Sequence, residues 1–113
     1  MLYVKPEVVE ALSKVLPTYY EDFVDENTAI PCISYKESGN YDNRITCNSC
    51  GYSDIYYTVK VWGNDIDTLS QNAAEVSDAM RELGFKRNSY NEMGAGNLKS
   101  IVMIFNAIGF ELF

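Results

Sequence analysis

The amino-acid sequence predicts an α+β fold: a four-stranded, mainly antiparallel sheet with two helices packed on one of its faces, in the order α-β-β-α-β-β. Three observations carry that expectation. Residues 55–62 alternate throughout, with Ile55, Tyr57, Val59 and Val61 set against Tyr56, Thr58, Lys60 and Trp62, which is the period of a half-buried strand. After a GND break, Ile66, Leu69, Ala73, Val76, Met80 and Leu83 recur at steps of three and four, so a helix would stack them on one side. Residues 99–113 form the most apolar stretch and are long enough for a further strand. At 113 residues the chain reads as one domain, 1–113, since single cores commonly occupy about 100–150 residues.

The first helix is predicted over 6–16. Pro6 suits the first helical position, where a missing N–H costs nothing, and Pro17 ends the helix. Val8, Val9, Leu12, Val15 and Leu16 form its apolar side. Tyr19, Tyr20, Phe23 and Val24 read as an added helical turn before an acidic loop through Asp25 and Glu26. Pro31 leads into the first strand, CISYKES, where Ile33 and Tyr35 alternate with Ser34 and Lys36.

Residues 39–53, GNYDNRITCNSCGYS, read as a long polar loop or arm between the first two strands. Loops beyond roughly 12 residues usually carry function, and a protruding hairpin or arm that meets a neighbour is the expectation here. Tyr41, Arg44 and Tyr52 are its candidate contact residues.

Asp65 stands where its carboxylate can cap the second helix, and Gly84 suits the left-handed position behind it. The outer side of that helix, Asp67, Gln71, Asn72, Glu75, Asp78 and Glu82, is polar and mostly acidic. Residues 85–93 form a third strand, GAGN a turn, and 99–113 the fourth strand. That last strand has Ile101, Met103 and Phe105 on one face and Val102, Ile104 and Ile108 on the other, so it is expected to be central or covered on both sides.

Composition excludes several functions. Nine basic residues are scattered among sixteen acidic ones, a net charge of −7, whereas a protein that grips phosphates needs clustered lysine and arginine. An acidic surface does suit a passage through which nucleic acid slides without sticking. With no histidine, the usual general base and the commonest metal ligand are both missing. The carboxylates Glu21, Asp22, Asp25 and Glu26 read as a solvated run rather than a buried acid pair, and neither a nucleophile with a base nor a phosphate loop is present. We therefore expect no enzyme and no cofactor. Nine tyrosines fit either an interface or a sheet-rich fold. The N-terminus is too charged for a signal peptide and no apolar run approaches the roughly 20 residues of a membrane span, so a soluble protein made in a cytoplasm is expected.

Cys47 and Cys50 form a CxxC, with Cys32 upstream. A structural zinc site generally needs four ligands, and a redox CxxC sits at a helix N-terminus after a strand, whereas CNSC lies in a polar loop. Free thiols are the plain reading, with a metal site or a disulfide as alternatives, and no metal is assigned. Trp62 sits on the face turned from the core, either as an interface anchor or beneath the first helix or the Tyr19–Phe23 segment.

The succession of Pro31, Ile33 and Tyr35, then Tyr57, Val59, Val61 and Trp62, then AMRELGFKR at 79–87 and an apolar final strand resembles the tail terminator, or tail completion, proteins of long-tailed bacteriophages and prophages. The resemblance implies a structural virion protein that forms a six-fold ring at the head-proximal end of the tail tube. There it would stop tail polymerisation and offer the surface on which the head docks. It also implies contact with the major tail tube protein and with a head-tail connector or stopper, passage of genomic DNA without sequence-specific binding, and no catalysis. The family does not require the loop holding Cys47 and Cys50. A head-side adaptor or stopper is the nearest alternative, and a zinc-binding or redox module on Cys32, Cys47 and Cys50 is a more remote one. On either phage reading, Trp62, Asp67, Gln71, Glu75 and Asp78 join Tyr41, Arg44 and Tyr52 as interface candidates.

Overall fold

The alternation and the helical ladder fold as one continuous unit. In the computed structural model, which describes residues 5–21, 30–44, 50–95 and 98–112, strand β3 spans Cys50–Gly63 and helix α2 spans Ile66–Glu82. The Asp65 carboxylate starts the helix by accepting from the Asp67 N–H at 3.3 Å and the Thr68 hydroxyl at 3.0 Å. Replacing a capping aspartate by alanine removes a partner from an otherwise orphaned N–H, so Asp65→Ala is expected to cost about 1 kcal/mol in a urea titration. At the other end Gly84 takes φ 94°, and the Gly84 and Phe85 N–H groups return to the carbonyls of Arg81 and Met80. That is a Schellman closure, which needs a residue free of Cβ strain at the left-handed position.

Leu69, Ala73, Val76 and Met80 of α2 are fully buried and Ile66 is half-buried, as the ladder requires. Leu83, the last rung, is 39% exposed, because the helix has already ended and residue 83 caps it. Burying each large side chain stabilises by about 1.5–3 kcal/mol, which is what holds a helix this polar on its outer side against a sheet.

The sheet itself corrects the expectation. It has five strands, not four, in the order β1-β2-β3-β5-β4, and it is mixed. The added strand is β1, Thr18–Tyr20, which runs parallel to β2, Cys32–Arg44. Tyr19 and Tyr20 are thus extended rather than in a helical turn, while Phe23 and Val24 lie outside the described residues. Helix α1, Lys5–Ser13, ends a turn earlier than Pro17, and the Leu16 N–H still reaches the Leu12 carbonyl. Pro17 then directs the chain alongside β2: its carbonyl accepts from the Ile33 N–H at 2.8 Å, and the Tyr20 ring meets Tyr35 edge-on at 5.8 Å. A three-residue strand is specified by these partners and not by its own period.

β4, Lys86–Ala95, and β5, Leu98–Leu112, form the second antiparallel hairpin, and β5 inserts between β3 and β4. The stretch expected as a polar loop is largely strand. β2 continues past a bulge at Ser38 to Arg44, β3 begins at Cys50, and both pair in register, with β5 joining β3 as far as Cys50 opposite Leu112. This three-stranded arm draws the molecule out to 53 × 23 × 23 Å.

Both helices lie over one sheet face. Val8 and Leu12 of α1 join Ile33, Tyr57, Val59, Val61, Ile101, Met103 and Phe105 in a single core. Among the described residues the opposite sheet face carries no helix. Val102 there is half-buried and Ile104 is 36% exposed, so β5 meets the first of the two expected arrangements: it is central, between β3 and β4, and the described residues pack a helix layer on one of its faces.

Candidate functional site

The two-layer architecture sorts the candidate contact residues onto opposite sides. Asp67, Gln71, Glu75 and Asp78 are exposed along the outer face of α2. On that face Arg81 lies 3.4 Å from Asp78, and an exposed pair of that kind adds little to stability.

Beside this face, α1 and α2 enclose a groove of about 300 Å³. Its lining combines Ala11, Val15, Ala79 and Leu83 with the carboxylates of Glu7, Glu10 and Glu82 and with Lys14. Lys14 lies 3.7 Å from Glu10, which leaves the groove an apolar floor with a predominantly negative rim.

Trp62 lies on the helix-free sheet face, half-buried, opposite Cys32 and Ser100 in the strand register. Its indole N–H donates to the buried Ser34 hydroxyl at 2.9 Å, which fixes the ring along the sheet. Neighbouring Lys60 pairs with Glu21, the residue that follows β1. Together Lys60, Trp62, Met93, Leu98 and Val102 line a shallow hollow of about 230 Å³. Met93 is 60% exposed and Leu98 40% exposed, high values for apolar side chains gathered in one place. Lys36 stands on this same face, across from Thr58, and Lys86 is across from Asn106 at the end of edge strand β4, where it also borders the hollow beside Ser77 and Arg81.

Met93, Leu98 and Val102 were not singled out from the sequence. The signal for them is weak: Leu98, Val102 and Ile104 share one face of β5, but Ser100 interrupts that row and Met93 follows Asn91 and Ser89 on β4. A third hollow, of about 340 Å³, gathers Arg81, Lys86 and Arg87 around Ser77 and Phe85. Arg87 there donates to the Ser77 hydroxyl at 3.2 Å and lies over the Tyr90 ring at 5.1 Å, so it is committed within the chain.

Tyr41, Arg44 and Tyr52 fall on the arm, where Tyr41 pairs with Asp54, Arg44 with Gly51, and Tyr52 with Asn43 and Phe110. They are therefore well separated from the Trp62 surface along β3. The same register bears on the cysteines. Cys32 pairs with Trp62 at one end of the β2–β3 ladder and Cys50 pairs with Leu112 at the other, twelve positions along β3. At about 3.3 Å per residue those ends stand roughly 40 Å apart, so one ion cannot be held by both within a subunit. Cys47 lies outside the described residues. Cys32 is buried, and burial pushes its thiol above the ordinary value of 9.0 by disfavouring the thiolate, the opposite of what a metal ligand or redox nucleophile needs. Among the described residues no group of three or more histidine, cysteine, aspartate or glutamate side chains could hold a metal ion. Among them, too, no helix is long and apolar enough to cross a membrane.

The described residues present two faces of unlike chemistry on opposite sides of a thin two-layer fold, with an arm extending from one end. No curated protein matches the chain significantly. Residues 5–102, which include both helices, the helix-free face and the β2–β3 arm, match the family described as tail completion protein gp17. The chain therefore belongs to the phage tail completion protein family, whose members are structural components of the virion rather than enzymes.

Proposed function

We propose that this protein assembles as a ring, six-fold as the family resemblance implies, at the head-proximal end of a phage tail tube. There it ends tube polymerisation and provides the surface on which the head docks. Its partners are further copies of itself, the major tail tube protein and a head-tail connector or stopper, with genomic DNA passing through the bore without sequence-specific binding.

The observation that carries this reading is the placement of exposed side chains on opposite faces, Asp67, Gln71, Glu75 and Asp78 on α2 and Met93 and Leu98 beside half-buried Trp62, in a chain of this family. A contact that uses one patch on both partners stops at a dimer, whereas two different patches link copies head to tail, which makes a ring when the rotation between copies closes. The net charge of −7 supports free passage of DNA, because a negative bore repels phosphates.

A phage carrying an in-frame deletion of the gene tests the role. Its lysates are expected to contain DNA-filled heads and separate tails of uncontrolled length, scored by negative-stain electron microscopy. Tails of normal length already joined to heads would end the proposal. Tails of normal length that fail to join would favour a head-side adaptor.

A further inference from the structure

We propose that the α1–α2 groove of one copy receives the helix-free sheet face of the next, so that these two surfaces are the two halves of the subunit contact. The inference rests on the ring reading above and adds to it which surfaces meet.

Charge selects the pairing. The groove rim holds Glu7, Glu10 and Glu82 against the single cation Lys14. The described residues of the helix-free face carry Lys36, Lys60 and Lys86 against Glu21, which pairs with Lys60, and Asp54 farther toward the arm, a small positive excess. Groove against groove would oppose carboxylates to carboxylates, whereas the helix-free face brings a small positive excess. Like charges brought together across an interface are strongly disfavoured, so the groove rejects a copy of itself and favours the helix-free face.

Shape and apolar character agree with charge. Ala11, Val15, Ala79 and Leu83 form the groove floor, which is apolar beneath a charged rim. Opposite it, the β4–β5 hairpin presents Met93 and Leu98 as the most exposed apolar side chains of the sheet face, flanked by Trp62. An unbranched methionine adapts to a shallow groove more readily than a branched side chain does. The two surfaces lie on opposite layers of one subunit, so occupying both leaves each copy with one neighbour on either side, as a ring requires.

Site-specific cross-linking tests the pairing on full-length protein incorporated into phage, in a Cys47→Ser, Cys50→Ser background that leaves only buried Cys32. Leu83→Cys and Met93→Cys are introduced separately and together, and necks isolated from virions are treated with a short thiol cross-linker. The double variant is expected to give a ladder of multimers of this chain, and each single variant no multimer. Cross-linking of Met93→Cys to itself, or to a different tail protein, overturns the pairing. Rings seen in wild-type necks without a cross-link in the double variant also overturn it and leave the ring reading standing. Wild-type necks without a ring of this chain overturn both.

Discussion

Phe105→Ala is expected to lower the free energy of unfolding by about 3–5 kcal/mol, the usual cost of emptying a buried aromatic site. Ile104→Ala, one position earlier, is expected to cost no more than about 1 kcal/mol, since exposed positions give small effects. The two residues belong to the same strand and point to opposite faces. Phe105 is 1% exposed, across from Tyr57, within the core that both helices cover. Ile104 is 36% exposed on the face without a helix. A loss of 3–5 kcal/mol is a large share of the roughly 5–15 kcal/mol that stabilises a domain, so Phe105→Ala is expected to be partly unfolded at modest urea. Urea titrations with unchanged slope read both values. Equal losses at the two positions would mean that β5 is covered on both faces within the monomer, and the one-sided sheet would be wrong.

Met93→Asp carries the second large effect, with the opposite signature. Met93 is 60% exposed, so the monomer is expected to keep its stability to within about 0.5 kcal/mol. Production of joined virions is expected to collapse. The new carboxylate would sit at the acidic groove of the neighbouring copy, where desolvation and repulsion both oppose it. Losing a contact worth about 2 kcal/mol weakens each subunit junction roughly 30-fold, and a ring repeats that loss at every junction. Plaque titre and electron microscopy of the lysate read the assembly, and a urea melt of the purified variant reads the fold. Full infectivity with the substitution in place would remove the helix-free face from the assembly surface.

The sequence was most informative where one side of an element is buried and the other wet. The β3–α2 unit, with its Asp65 cap and Gly84 closure, was readable nearly residue by residue, because its periodicity records the core directly. β1 was not readable, since three residues show no period and its place depends on β2 and on the Tyr20–Tyr35 contact. The arm was read as a polar loop with a hairpin as one possibility. Its strand structure comes from backbone pairing between β2, β3 and β5, which places no demand on hydrophobic alternation.

β5 is central, one of the two arrangements that its apolar residues on both faces allow. Among the described residues one of those faces carries no helix, and an apolar surplus there is what the proposed contact uses. For the site, alternation alone put Trp62 on the non-core face and the helical ladder put Asp67, Gln71, Glu75 and Asp78 outward. Their separation by the thickness of the subunit required the topology.

A cryo-EM reconstruction of the neck of the intact virion tests the central claim most directly. The account predicts a closed ring of this chain seated on the last ring of the tail tube, with the α1–α2 groove of each copy filled by the β4–β5 hairpin of its neighbour. Density for this chain only on the head side of the connector, or its absence from the neck, would contradict it.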